Sequence, residues 1–293
     1  FLIEIKKKIG AVQNTRKITK AMELVAASRM KQFQRKAIGT RVYAWSLLDA
    51  LRRSLVGFEE TSYGEYRDQG QVLFVLLTSD KGLCGSLNQQ LIRHLWQSDR
   101  WKSVPPQQRR LITIGRKSFE AASYAGIEPL ERFEGLNEQM TVMNALPLIG
   151  RILEHWQRKT IKEVILVSPH YVNPFTFYPT LKTYLPLTAE MVETHLEYRQ
   201  SPVQEQLTAV DFYEPTKERV EEVLSGQLME MLFVQAFYEL KATEYSSRMV
   251  AMKSATEAAD EMVRSLTLSY NKARQTAITQ QLAELTGGAL AVE

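Results

Sequence analysis

Between Thr216 and Thr286 the chain holds no proline and one glycine, Gly226. Apolar or small residues recur there at steps of three and four: Leu224, Leu228, Met231, Val234, Tyr238, Ala242, Tyr245, Met249, Met252, Ala255, Ala259, Val263, Leu266, Tyr270, Ala273 and Ala277. A strand repeats every second residue, so this stripe belongs to one helix. Pro215 suits the first helical position, and Gly287-Gly288 predicts a left-handed stop. At a rise of 1.5 Å per residue the helix would be roughly 100 Å long. That exceeds the span of a domain, so the helix must lie along a second helix or another protein.

The chain supplies a second helix. From Ile5 to Leu55 there is again no proline, and the only glycines are Gly10 and Gly39. Ile5, Ile9, Val12, Ile18, Met22, Val25, Phe33 and Ala37 fall roughly on one face. The two helices leave a central region from opposite ends of the sequence, so they run antiparallel from a common base. The second is the longer, and its excess predicts an overhang of roughly 20 Å that begins near Tyr270. Alanine-rich seam positions allow the two helices to approach closely.

The formal net charge is only +4, but the charge is unevenly placed. Thirteen lysines and arginines lie between Lys6 and Arg53, opposed only by Glu4, Glu23 and Asp49. Such a helix expects an acidic partner: protein carboxylates, nucleic acid or anionic lipid. A plainly solvated face is the alternative. No apolar run reaches the length of a membrane span, and the N-terminus shows no signal-peptide pattern. Cys84 is the only cysteine, which rules out an internal disulfide or a cysteine metal cluster.

The central region reads differently. Gly57 to Gly70 is polar and glycine-bearing, as in a linker. Val72–Thr78 is a continuous apolar run, the pattern of a strand buried on both faces. Leu87–Gln97 then reads as a helix, Leu111–Ile114 as a strand and Lys117–Tyr124 as a helix. Met140–Trp156 reads as a third helix disturbed by Pro147, and Glu163–Ser168 as another buried strand. Thr176–Leu187 and His195–Phe212 are less regular and read as edge strands. The fold class is α/β: a mostly parallel, Rossmann-like sheet carrying a long antiparallel two-helix coiled coil. The boundaries are 1–56 for the first helix, 57–215 for the α/β domain and 216–293 for the second helix.

Chemistry is sparse. Thr78–Ser86 (TSDKGLCGS) sits between a strand and a helix, where nucleotide folds hold phosphate, but it matches neither GxGxxG nor a Walker loop. A tight capped turn explains Asp80 and Lys81 better than a catalytic pair. Cys84 beside Leu83 reads as packed rather than nucleophilic. His94, His155, His170 and His195 lack zinc-ligand spacing, and His155 beside Trp156 reads as a boundary residue. No catalytic residue, cofactor site or metal site is expected. The basic helix has almost no aromatics to stack bases, and its apolar face is too narrow a seam for membrane binding.

Three stretches are recognisable. Ile9–Met30 (IGAVQNTRKITKAMELVAASRM) resembles the first helix of the gamma subunit of F-type ATP synthases. Ser247–Ala259 (SRMVAMKSATEAA) and Tyr270–Gln280 (YNKARQTAITQ) resemble its last helix, and Asp80–Asn88 (DKGLCGSLN) its central segment. The resemblance is to bacterial forms; chloroplast relatives carry an inserted cysteine pair for which the single Cys84 leaves no room.

The resemblance implies a central rotor shaft that carries torque between the membrane c-ring and a hexamer of alpha and beta subunits. It also implies one copy per complex, a sheet domain against the epsilon subunit and c-ring, and no active site of its own. The place implied is the cytoplasmic face of the bacterial inner membrane, as a peripheral part of a membrane complex with no nucleic acid partner. Met22 is implied to lie near the beta subunit's acidic lever, with Lys17, Lys20 and Arg29 on the same helix. Arg274, Gln275 and Ile278 are implied as contacts higher in the hexamer. Two other readings compete: an enzyme built on the sheet with helices for dimerisation, and a basic coiled-coil scaffold for nucleic acid.

Overall fold

The computed structural model describes residues 2–54, 61–136, 142–188, 191, 214 and 216–290. The expected strand at His195–Phe212 and the cap at Pro215 lie outside them. The chain divides into two compact units, Phe1–Ser28 with Arg248–Glu293, and Arg29–Ser247. Helices α1 (Leu2–Ser54) and α6 (Lys217–Leu290) each contribute to both.

The larger unit is built on a five-stranded sheet. Its strands are β1 (Gln71–Leu77), β2 (Arg109–Ile114), β3 (Glu131–Phe133), β4 (Ile161–Asn173) and β5 (Thr176–Leu185). Their order is β3-β2-β1-β4-β5. The β1–β2, β1–β4 and β2–β3 pairs are parallel, and β4–β5 is antiparallel. Val72 to Leu77 are all buried, as a central parallel strand requires.

Among the described residues, the α-helices between the strands are α2 (Leu87–Gln97), α3 (Asp99–Ser103), α4 (Arg116–Tyr124) and α5 (Val142–Gln157). Helix α2 buries Leu87, Leu91 and Leu95, one residue per turn. Helix α5 runs through Pro147 without ending there. At the end of β5, side chains alternate between faces. Thr183 reaches Glu163, which pairs with Arg100 of α3, while the Tyr184 hydroxyl donates to the Met229 carbonyl of α6 at 2.7 Å. The sheet thus carries α3 on one face and α6 on the other.

In the remainder of this unit α6 packs on the sheet and α1 packs on α6. From Leu228 to Ser246 no residue of α6 is exposed. Phe33 of α1 stacks on Tyr245 of α6, with ring centroids 5.7 Å apart and planes 5° apart. Gly226 keeps α6 close to the segment before β1, because a Cβ there would come within 3.1 Å of the Tyr63 hydroxyl. Each fully buried large apolar side chain contributes roughly 1.5–3 kcal/mol.

In the smaller unit two helices face each other. Thr19 meets Thr256 across the seam at 2.8 Å, and one turn away Arg16 pairs with Asp260. Moving back along α1 moves forward along α6, so the pair is antiparallel. The seam of α1 runs through Ile5, Thr19 and Ala26, and continues in the larger unit through Met30, Phe33, Ala37, Ala44, Leu47 and Leu51. Steps of three and four, or multiples of seven, connect these positions, a mean period of 3.5. Along α6, Met252, Thr256, Ala259, Val263, Leu266, Tyr270, Ala273 and Ala277 keep the same period and are all covered or half-covered, with Ala251, Ala255 and Asp260 half-covered beside them.

Three expectations need correction. Ile18 and Val25 are not in the seam: each is 61% exposed, and the seam passes one residue later, through Thr19 and Ala26. A period of 3.5 carries the buried line there, and a threonine and an alanine do not advertise burial. The helix does not stop at Gly287-Gly288 but continues to Leu290. Glycine costs a helix about 1 kcal/mol relative to alanine without forcing an end. Strand β3 was not expected; three residues, Glu-Arg-Phe, carry no readable alternation.

Candidate partner interface

The residues singled out for partner contact form two groups, one on each helix. On α1, Lys17 and Lys20 are exposed one turn apart, and Met22 is half-buried beside the seam. Lys20 reaches Glu23 at 3.0 Å, a local pair that leaves its stem exposed. Ile18, Leu24 and Val25 lie exposed among these lysines. The same helix surface therefore offers both positive charge and bare apolar area. Arg29 stands at the start of the larger unit, half-buried, and donates to Gln32 at 3.2 Å.

On α6, Arg274 and Gln275 are exposed, and Ile278 is 48% exposed. They alternate with the half-buried Ala273 and Ala277, so they point away from the seam. Met262, Leu268, Leu282 and Leu285 are also exposed. Among the described residues no helix is long and apolar enough to cross a membrane.

The sheet domain's turn is occupied by its own groups. After β1, the Thr78 hydroxyl accepts from Ser118 N at 2.8 Å and Asp80 accepts from Arg116 N at 3.0 Å. Both therefore cap the N-terminus of α4. Asn88 accepts from Ser79 N at 3.0 Å and donates to the Ser79 hydroxyl at 2.8 Å, closing the turn from the α2 side. Gly115 lies against this turn at φ +94°, and a Cβ there would come within 2.1 Å of the Thr78 carbonyl. Cys84 is buried, as its neighbour Leu83 suggested. His155 is largely covered and lies 3.3 Å from Glu131.

A cleft of about 860 Å³ opens elsewhere, lined by Arg100, Lys162, Glu163 and Lys182 among others. It lies at the start of β4, whereas open α/β sheets bind ligands beyond the carboxyl ends of their parallel strands. Burial lowers the Lys182 pKa, the Glu239 charge opposes that shift and Arg41 adds to it. Among the described residues no group of three or more His, Cys, Asp or Glu is placed to hold a metal ion.

Sequence reasoning missed one cluster altogether. Arg41 of α1 and His170 of β4 converge on Glu239 of α6 in the larger unit, although the three are far apart in the chain, and Gln235, one turn back on α6, joins them. Burial alone would raise the Glu239 pKa. The bond from His170 and the charges of Arg41 and Lys182 outweigh burial, and the pKa falls from its ordinary 4.5 to about 2.

The chain is thus an α/β protein in which a mostly parallel sheet domain is carried on two long helices that pair antiparallel and expose both apolar and basic side chains. Known proteins narrow the class. A family model described as ATP synthase matches residues 2–292, and the chain belongs to that family. The ATP synthase gamma chain of Symbiobacterium thermophilum is 34% identical over 297 residues, covering 99% of this chain and 97% of that one. The gamma chain of Heliobacterium modesticaldum is 32% identical, covering 99% and 98%. In fold, the chain is similar to one in the Euglena gracilis mitochondrial ATP synthase, OSCP/F1/c-ring, with a TM-score of 0.65 at 18% identity, covering 99% and 94%. It is also similar to one in the central stalk/c-ring of the Tetrahymena thermophila mitochondrial enzyme, with a TM-score of 0.59 at 22% identity, covering 81% and 99%.

Proposed function

We propose that this chain is the gamma subunit of a proton-translocating F-type ATP synthase. In that role it is the central rotor shaft that couples proton flow through the membrane c-ring to ATP synthesis or hydrolysis in the alpha/beta hexamer. The observation that carries the reading is likeness to gamma chains along 99% of the sequence. Residues 1–56 and 216–293 supply the shaft, and 57–215 the domain that meets epsilon and the c-ring. The complex lies on the cytoplasmic face of the bacterial inner membrane, with this subunit peripheral to the bilayer.

The physical chemistry supports the role. Torque transfer needs a stiff element with unlike faces, because a featureless cylinder cannot distinguish three partners. A two-helix coil is asymmetric in section. Lys17, Lys20 and Arg29 supply charge for acidic partner loops, with Met22 beside them. Arg274, Gln275 and Ile278 supply the contacts on α6. Charge on an open helix face steers partners without the deep pocket that would hold any one of them.

Native mass spectrometry of the purified complex tests the reading: one copy should accompany three alpha and three beta subunits, and several copies would end it. Replacing Met22 by Lys places a new charge among the basic residues of α1 and alters the contact with the partner's carboxylates. Proton pumping per ATP hydrolysed should fall while assembly persists. Unchanged pumping and hydrolysis would remove Met22 from the contact set.

A further inference from the structure

Glu239 sits where α6 is covered on all sides, and its side chain is only 3% exposed. Both carboxylate oxygens are occupied. Oε1 accepts from Arg41 Nη2 of α1 at 2.7 Å and from Gln235 Nε2, one turn back on α6, at 3.0 Å. Oε2 lies 3.0 Å from His170 Nδ1 and accepts from Tyr171 N at 3.1 Å, both on β4. An ionised carboxylate only accepts, so His170 Nδ1 carries the proton. One side chain therefore joins both long helices to the sheet within a single compact unit.

Its buried neighbours on α6 include the apolar Phe237, Tyr238, Leu240 and Ala242, while the buried Lys241 pairs with Glu244 within the helix. Apolar packing is non-directional, and packed helices can slide by small steps. A buried carboxylate with donors on three elements resists such a slide. A small displacement strips a donor and leaves charge uncompensated at low dielectric. We infer that the Arg41–Glu239–His170 cluster is the joint through which rotation of the sheet domain passes to both long helices, with Glu239 as its positioning residue. The inference rests on the rotor-shaft reading and locates where within this chain the torque is handed over.

The test uses the complete synthase in sealed lipid vesicles and measures ATP-driven proton uptake per ATP hydrolysed. Glu239→Ala and Arg41→Ala should each lower that ratio about fivefold, the low end of a broken coupling between sites. ATP hydrolysis should persist. The double variant should be little worse than either single one, because both remove the same joint. Glu239→Gln, which keeps the shape and loses the charge, should fall between wild type and Glu239→Ala, and it serves as the probe if the alanine variant fails to assemble. A purely structural role would lower assembly and hydrolysis together and leave the ratio intact. That result, or an unchanged ratio in the assembled variants, overturns the inference. Absence of hydrolysis-coupled uptake in the wild type, or a second gamma copy, would instead overturn the shaft reading.

Discussion

From Leu228 to Ser246, α6 has no exposed residue, whereas from Met249 to Leu285 only Met252, Thr256 and Ala259 are buried. The apolar stripe is nearly the same in both stretches; the residues between its members differ. In the first, Met229, Leu232, Phe233, Phe237 and Leu240 fill the remaining faces. In the second those faces carry Lys253, Ser254, Glu257, Glu261, Arg264 and Ser265. A stripe shows that a helix is covered on one side, and its off-stripe residues show whether the other sides are covered too. Charge follows the same division. Within the buried stretch Lys241 and Glu244 pair at 3.0 Å with both side chains nearly inaccessible, and Glu239 has four donors. Along the second stretch Lys253, Glu257, Glu261 and Arg264 are exposed, and Asp260 pairs with Arg16 at the edge of the seam.

The sharpest way to break this contrast is a matched pair of truncations. Phe237→Ala should cost about 3–5 kcal/mol, the range for emptying a buried aromatic site, whereas Leu266→Ala on the half-covered stripe should cost about 1 kcal/mol or less. Denaturant unfolding of the purified chain measures both. Equal losses would mean that the two stretches are not differently buried.

Acid should come next in size. The Glu239 pKa is lowered from 4.5 to about 2, so the unfolded chain takes up this proton before the folded one. Its stabilisation is complete above the unfolded value and disappears as pH falls through the folded value. Melting temperature followed from pH 4.5 down to about 2 should fall with a slope that Glu239→Gln flattens. An identical slope in the variant would remove Glu239 from the acid response.

The smallest effects belong to the seam of the smaller unit. A double-mutant cycle replacing Thr19 and Thr256 with valine should report a coupling of about 1 kcal/mol for the buried hydroxyl pair. The Arg16–Asp260 pair, with side chains 48% and 41% exposed, should report about 0.5 kcal/mol or less, shrinking with salt. A larger value for the ion pair than for the threonines would reverse the ranking.

Much of this was legible. The continuous apolar runs of β1 and β4 mark strands buried on both faces, and α2 falls on Leu87–Gln97 as read from its pattern. The long helices declare themselves by what they lack, namely proline. The seam of α1 was harder. Ile18 and Val25 look like core, but the partner helix selects Thr19 and Ala26, whose small side chains let the helices close. The joint at Glu239 leaves no local trace, because each of its residues looks like an ordinary charge until the topology brings residues 41, 170 and 239 together.

The seven-residue repeat at the Thr19–Thr256 contact carries a mechanical consequence. An α-helix turns every 3.6 residues, so a contact line repeating every 3.5 winds two strands about each other with a left-handed lay. A cord laid in one hand tightens when twisted one way and slackens when twisted the other. This pair of helices is therefore built with unequal compliance for clockwise and anticlockwise load.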